Sequence, residues 1–130
     1  MHIVSIGTDI VECVRIGRII ERHGELFLAR VYTAREIQYC RGEKHVTEHF
    51  AGLWAAKQAI LQCLGTGWRT GRNWTDVEVR HLRDGTRKVY VGGPAKERTK
   101  ELAIQDILLT IAHCRAYATA TAIAVKPDVG

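Results

Sequence analysis

VTEHFAGLWAAKQAILQCLGTG, residues 46–67, holds the strongest periodic signal in the chain. Phe50, Leu53, Trp54, Lys57, Ile60, Leu61 and Leu64 recur at steps of three and four residues, the spacing of one helical face. The pattern predicts a long, largely buried helix over 46–64, stopped by Gly65-Thr66-Gly67. Lys57 stands on its mainly apolar face, where burying an unpaired ammonium would cost on the order of several kcal/mol. It therefore needs an anion. Two readings stay open: a packed stem whose head reaches solvent, or a lysine held toward a phosphate that the backbone N–H groups of Gly65, Thr66 and Gly67 also face.

Working outward toward the N-terminus, His2 to Val11 alternates as a strand does, with Val4, Ile6, Thr8 and Ile10 on its main apolar side and Asp9 on the other. Val14 to His23 has helical spacing, carries Arg15, Arg18 and Arg22 as a stripe, and meets Gly24 as a C-cap. Thr33 followed by Glu36 is a capping-box pattern for a second short helix to about Arg41, ending near Gly42. Toward the C-terminus, Trp74 to Leu82 and Thr86 to Val91 flank Asp84-Gly85, a favoured hairpin dipeptide. Pro94 suits the first turn of a helix to about Ala103, and Ile104 to Ala112 and Ala116 to Val125 read as two final strands. The class is α+β: an antiparallel sheet packed with one long and several short helices, in a single domain over residues 1–130.

Composition agrees with one packed core: 130 residues, 46% hydrophobic and 25% charged, with two prolines and no low-complexity tract. No apolar run approaches the ~20 residues of a membrane span, and no basic region precedes an apolar centre at the N-terminus. A cytoplasmic protein with no membrane partner is expected. Cys13, Cys40, Cys63 and Cys114 form no CxxC pair, so a zinc ribbon or dithiol site is not indicated. The net charge is +5, and because residues 1–50 carry seven basic and seven acidic side chains, the excess lies downstream. Such a balance suits an anionic partner, whether nucleic acid, phosphate-bearing ligand or acidic protein.

Several constellations bear chemistry. His45-Val46-Thr47-Glu48-His49 fits a short zinc-peptidase pattern, but Lys57, Gln58 and Gln62 farther along the helix are poor zinc ligands, and a solvated helix start is the better reading. Asp9 suits a hard cation such as magnesium, or a capping role. Arg15, Arg18 and Arg22 form either a solvated face or a dock for an acidic helix. His113, near the last hairpin, reads by itself as a satisfied histidine. Trp68, Arg69, Arg72 and Trp74 interleave as nucleic-acid binders do, with the basic balance as their only support.

In order along the chain, these pieces resemble the holo-acyl-carrier-protein synthases, the small phosphopantetheinyl transferases. Gly7, Asp9, Arg15 and Ile16 match the family's G-x-D-x-x-x-x-x-R-I, and Phe50 to Ala59 followed by Leu64-Gly65-Thr66-Gly67 matches F-A-x-x-x-A-x-K-E-A and L-G-T-G. Trp74 to Arg80 is similar to W-x-D-I-E-V-R, and His113 with Tyr117-Ala118 to S-H-x-x-x-Y-A. The resemblance covers nearly the whole chain. It implies the 4'-phosphopantetheinyl transferase fold and transfer of 4'-phosphopantetheine from coenzyme A to a serine of an apo acyl carrier protein, releasing adenosine 3',5'-bisphosphate, a step of fatty acid biosynthesis. By the same resemblance Asp9 and the Gln58 position hold magnesium, and Asp9, Lys57 and His113 are catalytic. Lys57, Gly65, Thr66, Gly67 and His113 lie near the coenzyme A phosphates, and Lys44 and His45 near its 3'-phosphate. Arg15, Arg18 and Arg22 meet the carrier protein, and the assembly is a homotrimer with sites between subunits; nucleic acid is not expected.

The chain departs from that pattern where charge matters. Gln58 replaces the metal-binding glutamate, Gln62 a lysine, Leu53 an arginine, Ala112 a serine or threonine and Ala116 an acidic residue. Gln58 and Gln62 are one helical turn apart, so the paired loss of a carboxylate and an ammonium leaves that face's net charge unchanged. An alternative is therefore a coenzyme A-binding or carrier-binding homologue with a degenerate metal site and little or no transferase activity.

Overall fold

The computed structural model describes residues 1–65 and 73–128. Strand β1 (His2–Glu12) leads into helices α1 (Cys13–His23), α2 (Glu25–Val31) and α3 (Ala34–Arg41), then the long helix α4 (Val46–Leu64). A 3-10 turn (Trp74–Asp76) opens the hairpin β2 (Val77–His81) and β3 (Arg87–Val91), followed by α5 (Gly93–Glu101), β4 (Asp106–His113) and β5 (Tyr117–Lys126). The expected α+β architecture is present. The main sheet has the order β1-β5-β4, antiparallel throughout, and β2-β3 forms a separate two-stranded sheet. Among the described residues no helix is long and apolar enough to cross a membrane.

Helix α4 buries twelve of its nineteen residues, one side packing on the inner face of the main sheet and others on α1, α3 and β2. Small residues let it come close. Ala118, Ala120, Ala122 and Ala124 of β5 are all buried, and a Cβ at Gly7 would lie 2.0 Å from the Ala59 carbonyl oxygen. Ser5 Oγ donates to the Cys63 carbonyl, and Gly7 meets Ala59 and Gln62, so β1 and α4 run antiparallel along this seam.

The face of β1 turned to the core is not its apolar one. Gly7 and Val11 are buried and Asp9 is half-buried, whereas Ile6 and Ile10 are 60% and 66% exposed. Strand register sets the outer face into rows: Ile6-Ile123-Leu108, Thr8-Thr121-Thr110 and Ile10-Thr119-Ala112. The inner rows include Gly7-Ala122-Leu109, Asp9-Ala120-Ile111 and Val11-Ala118-His113.

Helix α3 starts with the capping box its sequence predicts: the Thr33 N–H donates to Glu36 Oε1 at 2.8 Å, and the Glu36 N–H donates to Thr33 Oγ1 at 3.3 Å. The hairpin turn is likewise as expected, with Asp84 Oδ1 accepting from the Thr86 N–H and Gly85 at φ +88°. Gly24 is the C-cap of α1 as expected, at φ +54° with its N–H taken by the Ile20 carbonyl. Two elements differ: α2 follows directly where no helix is expected, and Trp74–Asp76 is a 3-10 turn before the strand.

Candidate active site

Asp9 occupies the seam between β1 and α4. Burial pushes its carboxyl above the ordinary aspartate range, opposed by the Ile10 N–H and by Arg15 on α1. A carboxylate stripped of part of its hydration in this way favours a nearby cation. The strand around it is pinned by Gln62, whose Oε1 accepts from the Thr8 N–H at 3.0 Å and whose Nε2 donates to the Thr8 carbonyl at 2.7 Å. Gln62 therefore substitutes a two-bond amide clamp for the charge expected at its position. Gln58 is half-buried one turn earlier in α4, on the side of Gln62 toward Asp9 because strand and helix run antiparallel.

These donors suit magnesium, which takes one or two protein oxygen ligands and completes its shell with water and substrate phosphate. Asp9 supplies a carboxylate and Gln58 an amide oxygen, both hard donors. Among the described residues no three His, Cys, Asp or Glu side chains come together to hold a metal ion, so the H-x-x-E-H pattern gathers no zinc site.

Lys57 requires a correction. Its side chain is fully buried, and its three ammonium protons are taken by Glu36 Oε1 at 2.8 Å, the Trp74 carbonyl at 3.0 Å and the Val77 carbonyl. The anion it needs is inside the protein. Glu36 Oε2 accepts from the Val79 N–H at 2.9 Å, so one carboxylate joins α3, α4 and β2. Burial draws the Lys57 ammonium below the ordinary lysine range, with Glu36 opposing the shift. No proton is left to face a phosphate, and neither sequence reading of Lys57 holds. Gly65 also differs from expectation: its N–H is taken by the Gln62 carbonyl at 3.0 Å. Thr66 and Gly67, like Trp68, Arg69 and Arg72, lie outside the described residues. Trp74 is stacked on Trp54, with ring centroids 4.7 Å apart.

His113 closes the far edge of the inner face, at the end of β4. Its Nδ1 lies 2.9 Å from Oε1 of Glu48 in the first turn of α4, and its ring packs edge-on against His49 at 4.8 Å. The other Glu48 oxygen faces His45 Nδ1 at 3.8 Å. Since β5 separates their strands and their rows are offset by two residues, Asp9 and His113 of one chain stand about 12 Å apart. In sequence Glu48 stands out only within a metal pattern; the signal that finds it is an acidic first-turn residue whose helix packs on the strand ending in His113.

Two grooves flank α1. One, about 320 Å³, is lined by Cys13, Val14, Gly17, His45, Val46, Thr47, Glu48 and Arg115. The second, about 370 Å³, shares Val14 and is walled by Arg15, Arg18 and Arg22, with Glu12, Ile19 and His23. The arginine stripe is exposed, and Lys44 is exposed beside His45. The structure thus brings His45, Glu48 and His113 together and leaves Lys57 on another side of α4.

Residues 5–122 match the family model described as the 4'-phosphopantetheinyl transferase superfamily. The holo-[acyl-carrier-protein] synthase of Rhodopirellula baltica is 42% identical over 121 residues, covering 92% of this chain and 95% of the relative. That of Protochlamydia amoebophila is 42% identical over 120 residues, covering 92% and 96%. Among solved structures, the holo-[acyl-carrier-protein] synthase of Neisseria meningitidis superposes with a TM-score of 0.86 at 26% identity, covering 96% of this chain and 100% of that one. The Helicobacter pylori holo-[acyl-carrier-protein] synthase, solved in complex with coenzyme A, gives 0.80 at 25% identity, covering 93% and 100%.

Proposed function

Because the chain belongs to the 4'-phosphopantetheinyl transferase superfamily, we propose that it transfers 4'-phosphopantetheine from coenzyme A to a serine of an apo acyl carrier protein. The observation that carries this reading is the partly desolvated Asp9 carboxylate at the β1–α4 seam, on a strand whose neighbouring Thr8 backbone Gln62 clamps, within a fold shared along nearly its whole length with holo-acyl-carrier-protein synthases. The carrier serine oxygen bonds to the pantetheine-side phosphorus of coenzyme A, and the bond from that phosphorus to the bridging oxygen breaks. That oxygen keeps the electron pair and leaves on adenosine 3',5'-bisphosphate.

Asp9 and Gln58 would hold a magnesium ion, which when bound would supply charge neutralisation at the pyrophosphate. Asp9 and Gln58 fix where the pyrophosphate sits, Lys44 and His45 meet the 3'-phosphate, and Arg15, Arg18 and Arg22 receive an acidic helix of the carrier. The single domain of residues 1–130 works in the cytoplasm, serves fatty acid biosynthesis and assembles as a homotrimer. The exposed Ile6, Ile10 and Leu108 support the assembly, since large apolar side chains gathered on one sheet face mark a surface a partner covers. A site shared by two copies also answers the separation of Asp9 from His113 in one chain.

A second reading, a coenzyme A- or carrier-binding homologue without turnover, draws on Gln58 and on the engagement of Gln62 and Lys57 elsewhere. Intact-mass analysis of apo acyl carrier protein, incubated with coenzyme A and a magnesium series, separates the two. The expected outcome is a gain matching phosphopantetheine that Asp9→Ala abolishes, with Gln58→Glu reaching the same yield at lower magnesium. Gain only with Gln58→Glu would establish the second reading, and no gain with either protein would overturn the first.

A further inference from the structure

Every oxygen and nitrogen of the Glu48–His113–His45 cluster sits at the start of α4 or the end of β4, and the metal positions do not use it. A carboxylate accepts hydrogen bonds and donates none, so the 2.9 Å contact between Glu48 and His113 requires the proton to be on Nδ1. Neutral His113 is then held as the tautomer whose Nε2 carries a lone pair. Glu48 is suited to this work: its side chain is 18% exposed and His113's 28%, dry enough for the bond to persist and open enough for substrate to reach the ring. Packing holds the ring from a second side, through the edge-on contact with His49. His45, at 3.8 Å from the second Glu48 oxygen, places a group expected at the 3'-phosphate on the same carboxylate.

We infer that Glu48 is a positioning residue for the transfer: it fixes the tautomer and orientation of His113, whose Nε2 takes the proton from the carrier serine as that oxygen bonds to phosphorus. The balance is complete without a further reactant. The serine O–H bond breaks, its proton moves to Nε2 to give imidazolium beside the Glu48 carboxylate, and the bridging oxygen leaves with its electron pair. A carboxylate in this place also stabilises the imidazolium as it forms. The inference rests on the transferase reading and adds to it a residue and a role.

The test combines nitrogen NMR of the ¹⁵N-histidine-labelled full chain with steady-state transfer kinetics on wild type and Glu48→Gln. An amide pairs with either tautomer, since it can both donate and accept. Wild type is expected to show His113 protonated at Nδ1 and Glu48→Gln a mixture of tautomers. With it, kcat should fall roughly 10- to 1000-fold, within what a positioned base contributes, while KM for coenzyme A stays within about twofold. A wild-type His113 protonated at Nε2, a measurement that needs no variant to fold, would overturn the assignment. So would an unchanged kcat in Glu48→Gln alongside active wild type. Wild type that modifies no carrier at any magnesium concentration would overturn the transferase reading, and this role with it.

Discussion

Lys57 shows how a single residue can be legible in sequence and still be misplaced. Its position on an apolar helical face demanded an anion, and the demand was right; the anion is Glu36, which in sequence reads as half of a capping box. One carboxylate filling both roles has no periodic signature, because its second partner lies across the core. The consequence is energetic. Lys57→Ala should destabilise the protein by about 3–5 kcal/mol by leaving Glu36 buried and unpaired, and urea unfolding would measure it. The double change Glu36→Leu with Lys57→Met should recover part of that loss, since both desolvated charges go together, while the Thr33 and Val79 N–H groups left without their acceptor keep recovery incomplete. A lysine devoted to phosphate would give the opposite result, with transfer lost and unfolding unmoved.

At the scale of elements, α4, the capping box and the tight hairpin were read correctly because each has a local cause: period, cap and turn dipeptide. The inner face of β1 was not, because Gly7 and Asp9 are poor markers of burial and the core face is chosen by how closely α4 can approach. Trp74–Asp76 reads as strand from its residue types, yet tertiary bonds from Lys57 claim its carbonyl. The packing of β2 on α3 supplies a pH test. His81 stacks face to face on Tyr39 at 3.6 Å, and burial, with Arg87 and His49 adding to it, pulls its imidazole down to about 4. An unfolded chain then binds more protons than the folded one between that value and the ordinary 6.5, so stability is lost as pH falls through this window. Melting temperatures should drop from pH 7 to pH 4.5, and His81→Phe, which keeps a ring on Tyr39, should flatten part of that decline.

For the whole molecule, the outer sheet face is the feature that a one-chain reading of hydrophobicity cannot place. Ile6, Ile10 and Leu108 look like core in sequence and are exposed in the folded chain, with a threonine row between their apolar rows. If the proposed trimer covers them, Ile10→Lys should convert a particle of three 14.6 kDa chains into monomers. Sedimentation velocity would show this, and an unchanged trimer would move the interface elsewhere. Carrier modification should fall together with assembly, because Asp9 and His113 then lose their counterparts on the neighbouring copy.

The strand order carries a consequence for synthesis. β5, made last among the strands, lies between β1, made first, and β4. At roughly 5–20 residues per second, β1 waits on the order of ten seconds for its hydrogen-bonding neighbour. During that interval α4 has no completed sheet to cover its apolar face, and Gly7 can meet Ala59 without β5 to hold the strand in register. The main sheet of the nascent chain therefore closes only after β5 has left the exit tunnel.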